Sequence, residues 1–521
     1  MRYETKSNKD SKIRFVLILL IFLGILFSIA TRFIAIEADP DVSISKLQGA
    51  YVTDEGWKSG NAINKIISNK WLCNDKNDML LWPVMPLIVY TSFRIFGLSL
   101  FSLRLPFVLF SIVLLFLIAI TLLYSLREKK SNTFLITILL YVFLAATSYF
   151  LFIQGRIAFF DIPMFVFGMF GLIILYHALK ETKTKRKYLL FAIHGVSIGI
   201  CLCVKTTGLI FFISSIVSVL FLKIFNESNN RANIKGLILF FITTIFTLLL
   251  ILLTTNKIIT GSFFSMPLRY IINVETVNNS QFNPLLIMKN YMRFFTNNVL
   301  IYNSALFLIM LVSIIIIIQK SIIVRKILLI DLIMLSLTIS SFLFLGYFTP
   351  QAERYFTILL IPMLYFVPKI FLVMKDYFHS NSNIDINPKS ILIVFILIVL
   401  SNTWNIWKMG NFLCHRNFTL KNSALSIQKD IEADINEKYV EYTNCMFGMP
   451  SSILAAINHL PFVYHQEDNS GNYYITNEPN EFDDSKYTLI SQYDIFNFPS
   501  SECHIFLLKS RNIQVYNKAK E

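Results

Sequence analysis

The sequence predicts an all-α polytopic membrane protein of about eleven transmembrane helices. It also predicts interfacial helices in the first outer loop and a small extracytoplasmic α/β domain at the C-terminus. Three observations lead there. The chain of 521 residues is 55% hydrophobic and 15% charged, with 49 Phe and a mean hydropathy of +0.59. A soluble globule carries charge on roughly a quarter of its residues. Apolar runs long enough to cross ~30 Å of hydrocarbon recur along the first ~400 positions. They are continuous rather than alternating, which indicates helices and not a barrel. Finally, the basic residues gather in short loops that alternate with loops poor in them. This explains the net charge of +15 by membrane orientation, without a nucleic-acid partner.

The leader holds Arg2, Lys6, Lys9, Lys12 and Arg14, which places it in the cytoplasm. The first span runs from about Phe15 to Ile36. Its length favours an uncleaved span over a signal peptide, whose cleavage site would be the weak Ser28-Ile-Ala30. A first outer loop, about 37–105, follows. Within it Asn61–Ile67 has apolar residues at helical spacing, and Leu80–Tyr90 is apolar but broken by Pro83 and Pro86. Both read as interfacial helices, with Trp71 and Trp82 at headgroup depth. A span over Val84–Phe96 is the alternative; it would invert everything downstream and break the charge pattern.

The next span starts near Pro106 and ends at Arg127, Lys129 and Lys130. Further basic loops hold Lys180 to Lys187, then Lys223, Arg231 and Lys235, then Lys320, Arg325 and Lys326. All fall on one side. The segment from about Asn256 to Asn298 is a second large outer loop, and the last span lies near Ile391–Trp404. The predicted division is therefore a transmembrane domain, 1–404, and an outer domain, 405–521. In that tail Leu425–Ile435 has helical period, while Tyr487–Ser491 and Cys503–Lys509 read as strands. Cys201 and Cys203 read as apolar filler in a span. Cys73, Cys414, Cys445 and Cys503 are predicted outside, where Cys445 and Cys503 could pair.

The charges that interrupt the apolar pattern point to chemistry. Asp54-Glu55 sits in the first outer loop. Asp161 opens a span, close behind Arg156. Lys205 lies between two apolar runs, and Arg354-Tyr355 occupies a short outer loop. A charge within a span costs ~2.5–3.5 kcal/mol on insertion scales, so it is normally paired or lines a cavity. Singly, each could be an interfacial or structural charge, such as an Asp161–Arg156 pair. Together they fall on one membrane face. Cations there can hold a phosphate, and a carboxylate can take a proton from an attacking hydroxyl or amine.

The ordered set resembles the GT-C superfamily of polyprenyl-phosphate-dependent glycosyltransferases, in the branch of bacterial protein O-mannosyltransferases and lipid A aminoarabinose transferases. It comprises Asp54-Glu55; Ile95-Phe-Gly97 with Arg104-Leu-Pro106; Gly155-Arg156 with Asp161 and Pro163; Gly195 and Gly199 leading to Lys205 and Gly208; and Glu353-Arg-Tyr355. It covers roughly residues 15 to 365. One departure is the stretch Asp78–Pro86, which lacks the Lys-Pro-Pro-like segment common in the family; Lys76 is near but out of register.

The resemblance implies a membrane glycosyltransferase moving a sugar from a polyprenyl-phosphate carrier to an extracytoplasmic acceptor, by inverting displacement. The acceptor would be lipid A, another lipid, a glycan or a protein. Asp54 would be the general base, Glu55 would orient the base or the acceptor, and Asp161 would be a second acid near the sugar. Lys205 and Arg354 would neutralise the donor phosphate, with Arg104 as a further phosphate ligand or a structural residue. Tyr355 and Arg156 would lie near acceptor or sugar. The phosphate could be held by cations alone, and a carboxylate pair could also hold a divalent metal. The address implied is a bacterial inner membrane with the site facing the periplasm or exterior. A transporter or lipid flippase, and a non-catalytic envelope assembly protein, are the rival classes. The first lacks support from any visible inverted repeat; the second would not need the outer-face charges.

Overall fold

Helices follow the apolar runs, and polar side chains decide where they start, bend and stop. A computed structural model of the chain describes residues 2–39, 82–126, 132–225, 230–261, 297–324, 326–347, 353–374 and 388–416, together with four short strands and scattered positions that include Glu55 and Lys421. Asp54, Lys76, Cys73, Cys445, Cys503 and the predicted helix 425–435 (except Leu425) lie outside the described residues.

The helices are α1 Arg2–Phe33, α2 Val84–Phe96, α3 Leu100–Leu126, α4 Asn132–Thr147, α5 Tyr149–Gln154, α6 Asp161–Lys180, α7 Thr184–Val204, α8 Leu209–Phe225 and α9 Asn230–Thr260. They continue with α10 Asn298–Tyr302, α11 Ser304–Val324, α12 Leu329–Tyr347, α13 Glu353–Phe356, α14 Leu360–Phe366, α15 Pro388–Ser401 and α16 Thr403–Cys414. Among the described residues seven helices are long and apolar enough to cross a membrane, or eight if the bent pair α15–α16 counts as one span. The expected eleven would need three of the four shorter apolar helices, of 10–17 residues, as well. One of the four is α2, whose 13 residues rise only about 20 Å, less than a bilayer core.

Two boundaries differ from the sequence expectation. Helix α3 begins at Leu100, not near Pro106, because Ser99 caps it: its Oγ accepts from the Ser102 N–H at 3.1 Å. Pro106 then sits in the second turn, where it leaves the Ser102 carbonyl without its helical donor. The Ser92 hydroxyl of α2 takes that carbonyl at 2.6 Å, so the proline is accommodated and α2 is tied to α3. The last apolar run does not end at Trp404. It bends by 46° and continues to Cys414. At the bend, Asn402 donates to the Thr147 hydroxyl, and Asn405 reaches Asn402 at 2.8 Å and Asn303 at 3.0 Å. Buried amides compete with the helical ladder, and here they draw α4, α10, α15 and α16 together.

The chain divides into two compact units: residues 1–34, 107–156 and 160–414, and residues 35–106, 157–159 and 415–521. The second unit thus takes in described residues of both the first outer loop and the tail. An ion pair from Lys421 to Glu37 at 2.5 Å joins the two stretches within the second unit. The same unit carries a four-stranded sheet of β1 Tyr442–Thr443, β2 Tyr473–Thr476, β3 Tyr487–Asp494 and β4 His504–Ser510, in the order β1-β2-β4-β3. β1 and β2 are parallel, the other pairs antiparallel, and a bulge interrupts β3 between Leu489 and Ser491. Two of these strands are those read from the sequence.

In the first unit α6 and α7 form an antiparallel hairpin. Its turn is closed by the Lys183 and Thr182 N–H groups, which donate to Glu181 Oε1 at 3.0 Å and hold that carboxyl below the usual carboxylate range. Gly195 and Gly199 let α7 approach α9. A Cβ at Gly195 would fall 1.9 Å from the Thr243 hydroxyl, and one at Gly199 would fall 2.7 Å from Thr247 Cβ.

Candidate active site

The hairpin decides which charges meet in the first unit. A short turn between α6 and α7 brings the first residue of α6 back to the end of α7. Asp161 opens α6, and Lys205 follows Val204. Lys205 adopts an extended backbone, φ −162° and ψ 137°, where α7 stops. A single 3₁₀ turn, Thr206–Gly208, then restarts the helix as α8. Gly208 is required by packing: a Cβ there would stand 2.8 Å from Cys201 Sγ and 3.0 Å from the Cys201 carbonyl.

The break aims the ammonium of Lys205 at Asp161, with 2.6 Å to Oδ1 and 2.7 Å to Oδ2. Both residues are buried. Lys205 Nζ also lies 4.8 Å from the centre of the Tyr355 ring, and the Arg354 guanidinium 5.2 Å from it. Asp161, Lys205, Arg354 and Tyr355 therefore form one cluster, built from the ends of α6, α7 and α13. Cations near an aromatic face gain ~0.5–2 kcal/mol each.

Arg156 is elsewhere in the same unit and does not pair with Asp161. Its Nη1 donates to the carbonyls of Thr31 at 3.3 Å, Arg32 at 3.1 Å and Ile34 at 2.8 Å. These close the C-terminus of α1, and a cation suits that end of a helix. Phe152 and Phe412 lie 5.1 and 4.7 Å from the guanidinium.

The second unit holds the other cluster. Arg104 grips Glu55 side-on, Nε to Oε1 and Nη2 to Oε2, both at 2.8 Å. It also donates to Asp39 at 3.0 Å and to the carbonyls of Ile36 and Ala38 at 3.3 and 3.1 Å. Glu55 Oε1 accepts in addition from the Ala158 N–H at 3.0 Å. A guanidinium has five N–H groups, and five bonds are made. Of the two roles read from the sequence, this geometry supports the structural one, since no N–H is left for a phosphate. Glu55 accepts three bonds, two at Oε1 and one at Oε2.

Residues 82–259 match the family model for dolichyl-phosphate-mannose-protein mannosyltransferase. No curated protein sequence matches the chain. Among solved structures, apo ArnT from Cupriavidus metallidurans is similar at a TM-score of 0.60 and 10% identity, over 96% of this chain and 98% of that one. The same protein bound to undecaprenyl phosphate gives 0.58 and 10%, over 94% and 97%. The oligosaccharyltransferase AglB from Archaeoglobus fulgidus, in complex with an inhibitory peptide and a dolichol-phosphate, gives 0.53 and 12%, over 90% and 70%. This chain has the GT-C glycosyltransferase fold.

The resemblance expected from the ordered motifs thus holds for the fold. The segment matched by the family model contains Arg104, Arg156, Asp161 and Lys205. Sequence reasoning missed Asp39 and the Ala158 N–H as partners in the Glu55–Arg104 cluster. Asp39-Pro40, an acid directly after the first span, was the available signal for one; a backbone N–H leaves none. Among the described residues no three His, Cys, Asp or Glu side chains gather as a metal site.

Proposed function

We propose that the chain is an integral-membrane glycosyltransferase that moves one sugar from a polyprenyl-phosphate carrier to an acceptor outside the cytoplasm. One observation carries the reading: the buried Lys205–Asp161 pair set at a helix break beside Arg354 and Tyr355, within a GT-C fold. Lys205 and Arg354 would neutralise the phosphate that leaves as the carbon–oxygen bond to the sugar breaks. Asp54 would take the proton from the acceptor as its oxygen or nitrogen attacks the anomeric carbon from the opposite side. Asp161 would hold Lys205 until the donor phosphate arrives, and then lie near the sugar. Tyr355 would line the same place.

The basic loops favour a site on the far side from the cytoplasm, which would be the periplasm or exterior of a bacterial inner membrane. The acceptor would be lipid A, another lipid, a glycan or a protein. A divalent ion held by carboxylates could share the phosphate charge with the two cations.

The test is release of labelled sugar from a panel of polyprenyl-phosphate sugars, supplied with a membrane extract as acceptor, by the wild type and Asp54→Asn in nanodiscs. Loss of release by about 10²–10⁴-fold in the variant, with unchanged thermal unfolding, is the expected result. Full release by a folded Asp54→Asn protein would refute the base assignment. Failure of every donor with the wild type would favour a transporter or assembly protein. An added chelator decides the metal: unchanged release leaves the phosphate to Lys205 and Arg354.

A further inference from the structure

Four elements of the first unit enclose a cavity of about 130 Å³ where α3 ends, α11 ends and α12 begins, closed by the segment after α14. It lies by the basic loop at Lys320 to Lys326, at the opposite ends of these helices from the loop that carries Arg354. The volume is that of about four waters, enough for a phosphate group.

Its wall carries Lys320, Lys326 and Lys369 against one acid, Asp331. That acid is already engaged: Asp331 Oδ1 accepts from both Lys369 Nζ and the Tyr365 hydroxyl. Lys369 and Asp331 are themselves buried, and the Lys369 ammonium also approaches the Tyr365 hydroxyl at 3.4 Å. The Ser125 hydroxyl, also on the wall, lies beside the Tyr365 hydroxyl. The cavity wall therefore carries three cations, while its one carboxylate is occupied.

The rim has a different character. Val324 and Leu328 line the cavity and are 59% and 50% exposed, and the adjoining Ile322 and Ile323 are 62% and 69% exposed. Apolar surface at helix ends faces acyl chains in a bilayer. Basic residues scattered on loops orient a membrane protein without binding any lipid in particular. A concave wall with a buried lysine, opening onto lipid-facing side chains, is a different arrangement.

We propose that this cavity binds the phosphate headgroup of an anionic phospholipid from the leaflet on the basic-loop side, with its acyl chains along Ile322, Ile323, Val324 and Leu328. The lipid ties the ends of α3, α11 and α12 together. The site is independent of the transferase reading and needs no donor or acceptor.

The full chain, freed of excess lipid in detergent, is titrated with phosphatidylglycerol, phosphatidylcholine and inorganic phosphate. Bound lipid is read by native mass spectrometry, and stability by thermal unfolding. The wild type is expected to retain phosphatidylglycerol over phosphatidylcholine, and to be stabilised by it alone. Lys320→Gln/Lys326→Gln, which leaves the Lys369–Asp331 pair intact, should reduce that preference roughly tenfold to thirtyfold. Equal retention of both lipids by the wild type overturns the proposal without any variant. So does an undiminished preference in the double variant. Stabilisation by inorganic phosphate equal to that by phosphatidylglycerol would make the cavity a soluble-anion site, and overturn the lipid as its occupant.

Discussion

Glu55 with Arg104 and Asp161 with Lys205 are both buried acid–cation pairs, one in each unit, and they differ in how much of the cation is already committed. Arg104 spends all five N–H groups on Glu55, Asp39 and two carbonyls. Lys205 directs its ammonium to one carboxylate and otherwise lies beside the Tyr355 ring. Guanidinium geometry is fixed and bidentate, whereas an ammonium is a point charge on a flexible stem. The first arrangement suits a framework that holds a loop. The second suits a cation that can exchange its partner for an arriving phosphate. Sequence alone presents both as a charge near an acid.

The sharpest way to break this contrast is to remove the framework cation. Arg104→Ala leaves Glu55 buried without its guanidinium and takes one cation from Asp39, which should cost about 3–5 kcal/mol, read as a large drop in thermal unfolding temperature. Adding Glu55→Gln should recover only part of it, because the Ile36 and Ala38 carbonyls still lack the guanidinium that bonds them. A double variant as stable as the wild type would show that Arg104 holds Glu55 alone.

The opposite pattern is expected in the other cluster. Lys205→Met/Asp161→Asn removes both charges and keeps the volume, a change that is often close to neutral for stability. Donor release should nevertheless fall by about 10²–10³-fold, the usual loss for one charge-stabilising group. Normal release from the double variant would make the pair a second framework and end the comparison.

Much of the first-unit cluster was legible in the sequence because each member interrupts an apolar run. Asp161, Lys205 and Arg354-Tyr355 stand out against residues that belong in lipid, and the hairpin parity of α6 and α7 puts Asp161 and Lys205 at one end. The partners of those charges were harder to read. Arg156 was as near to Asp161 in sequence as any cation, yet it serves the carbonyls at the end of α1, which carry no side-chain signal. Asp331 and Lys369 also interrupt apolar runs, and by the same rule deserved notice beside Lys205. Helix limits were least legible where a serine cap or a buried amide decided them: Ser99 extends α3 past Pro106, and Asn402 bends the last run without ending it. The strands β3 and β4 were read correctly because their apolar, β-branched stretches are short and bounded by polar residues.

The position of Lys205 depends on the turn that follows it, which gives a smaller test. Gly208→Ala places a Cβ against Cys201 Sγ and its carbonyl. Relieving that contact should cost about 1–3 kcal/mol and shift Lys205 from Asp161. Donor release should then fall more than the loss of stability at assay temperature explains. A stability loss with release unchanged would show that the 3₁₀ turn is only packing and that Lys205 finds its place without it.

The smallest effect is expected at Ser92, whose hydroxyl satisfies the Ser102 carbonyl left open by Pro106. Ser92→Ala should cost about 1 kcal/mol, the price of one unmade hydrogen bond, with donor release unchanged. Pro106→Ala restores the helical donor to that carbonyl. In its background the Ser92→Ala cost should shrink toward zero, since two donors then serve one acceptor. An undiminished cost in that background would mean that Ser92 joins α2 to α3 by packing, and that the proline is tolerated for a reason unrelated to its missing N–H.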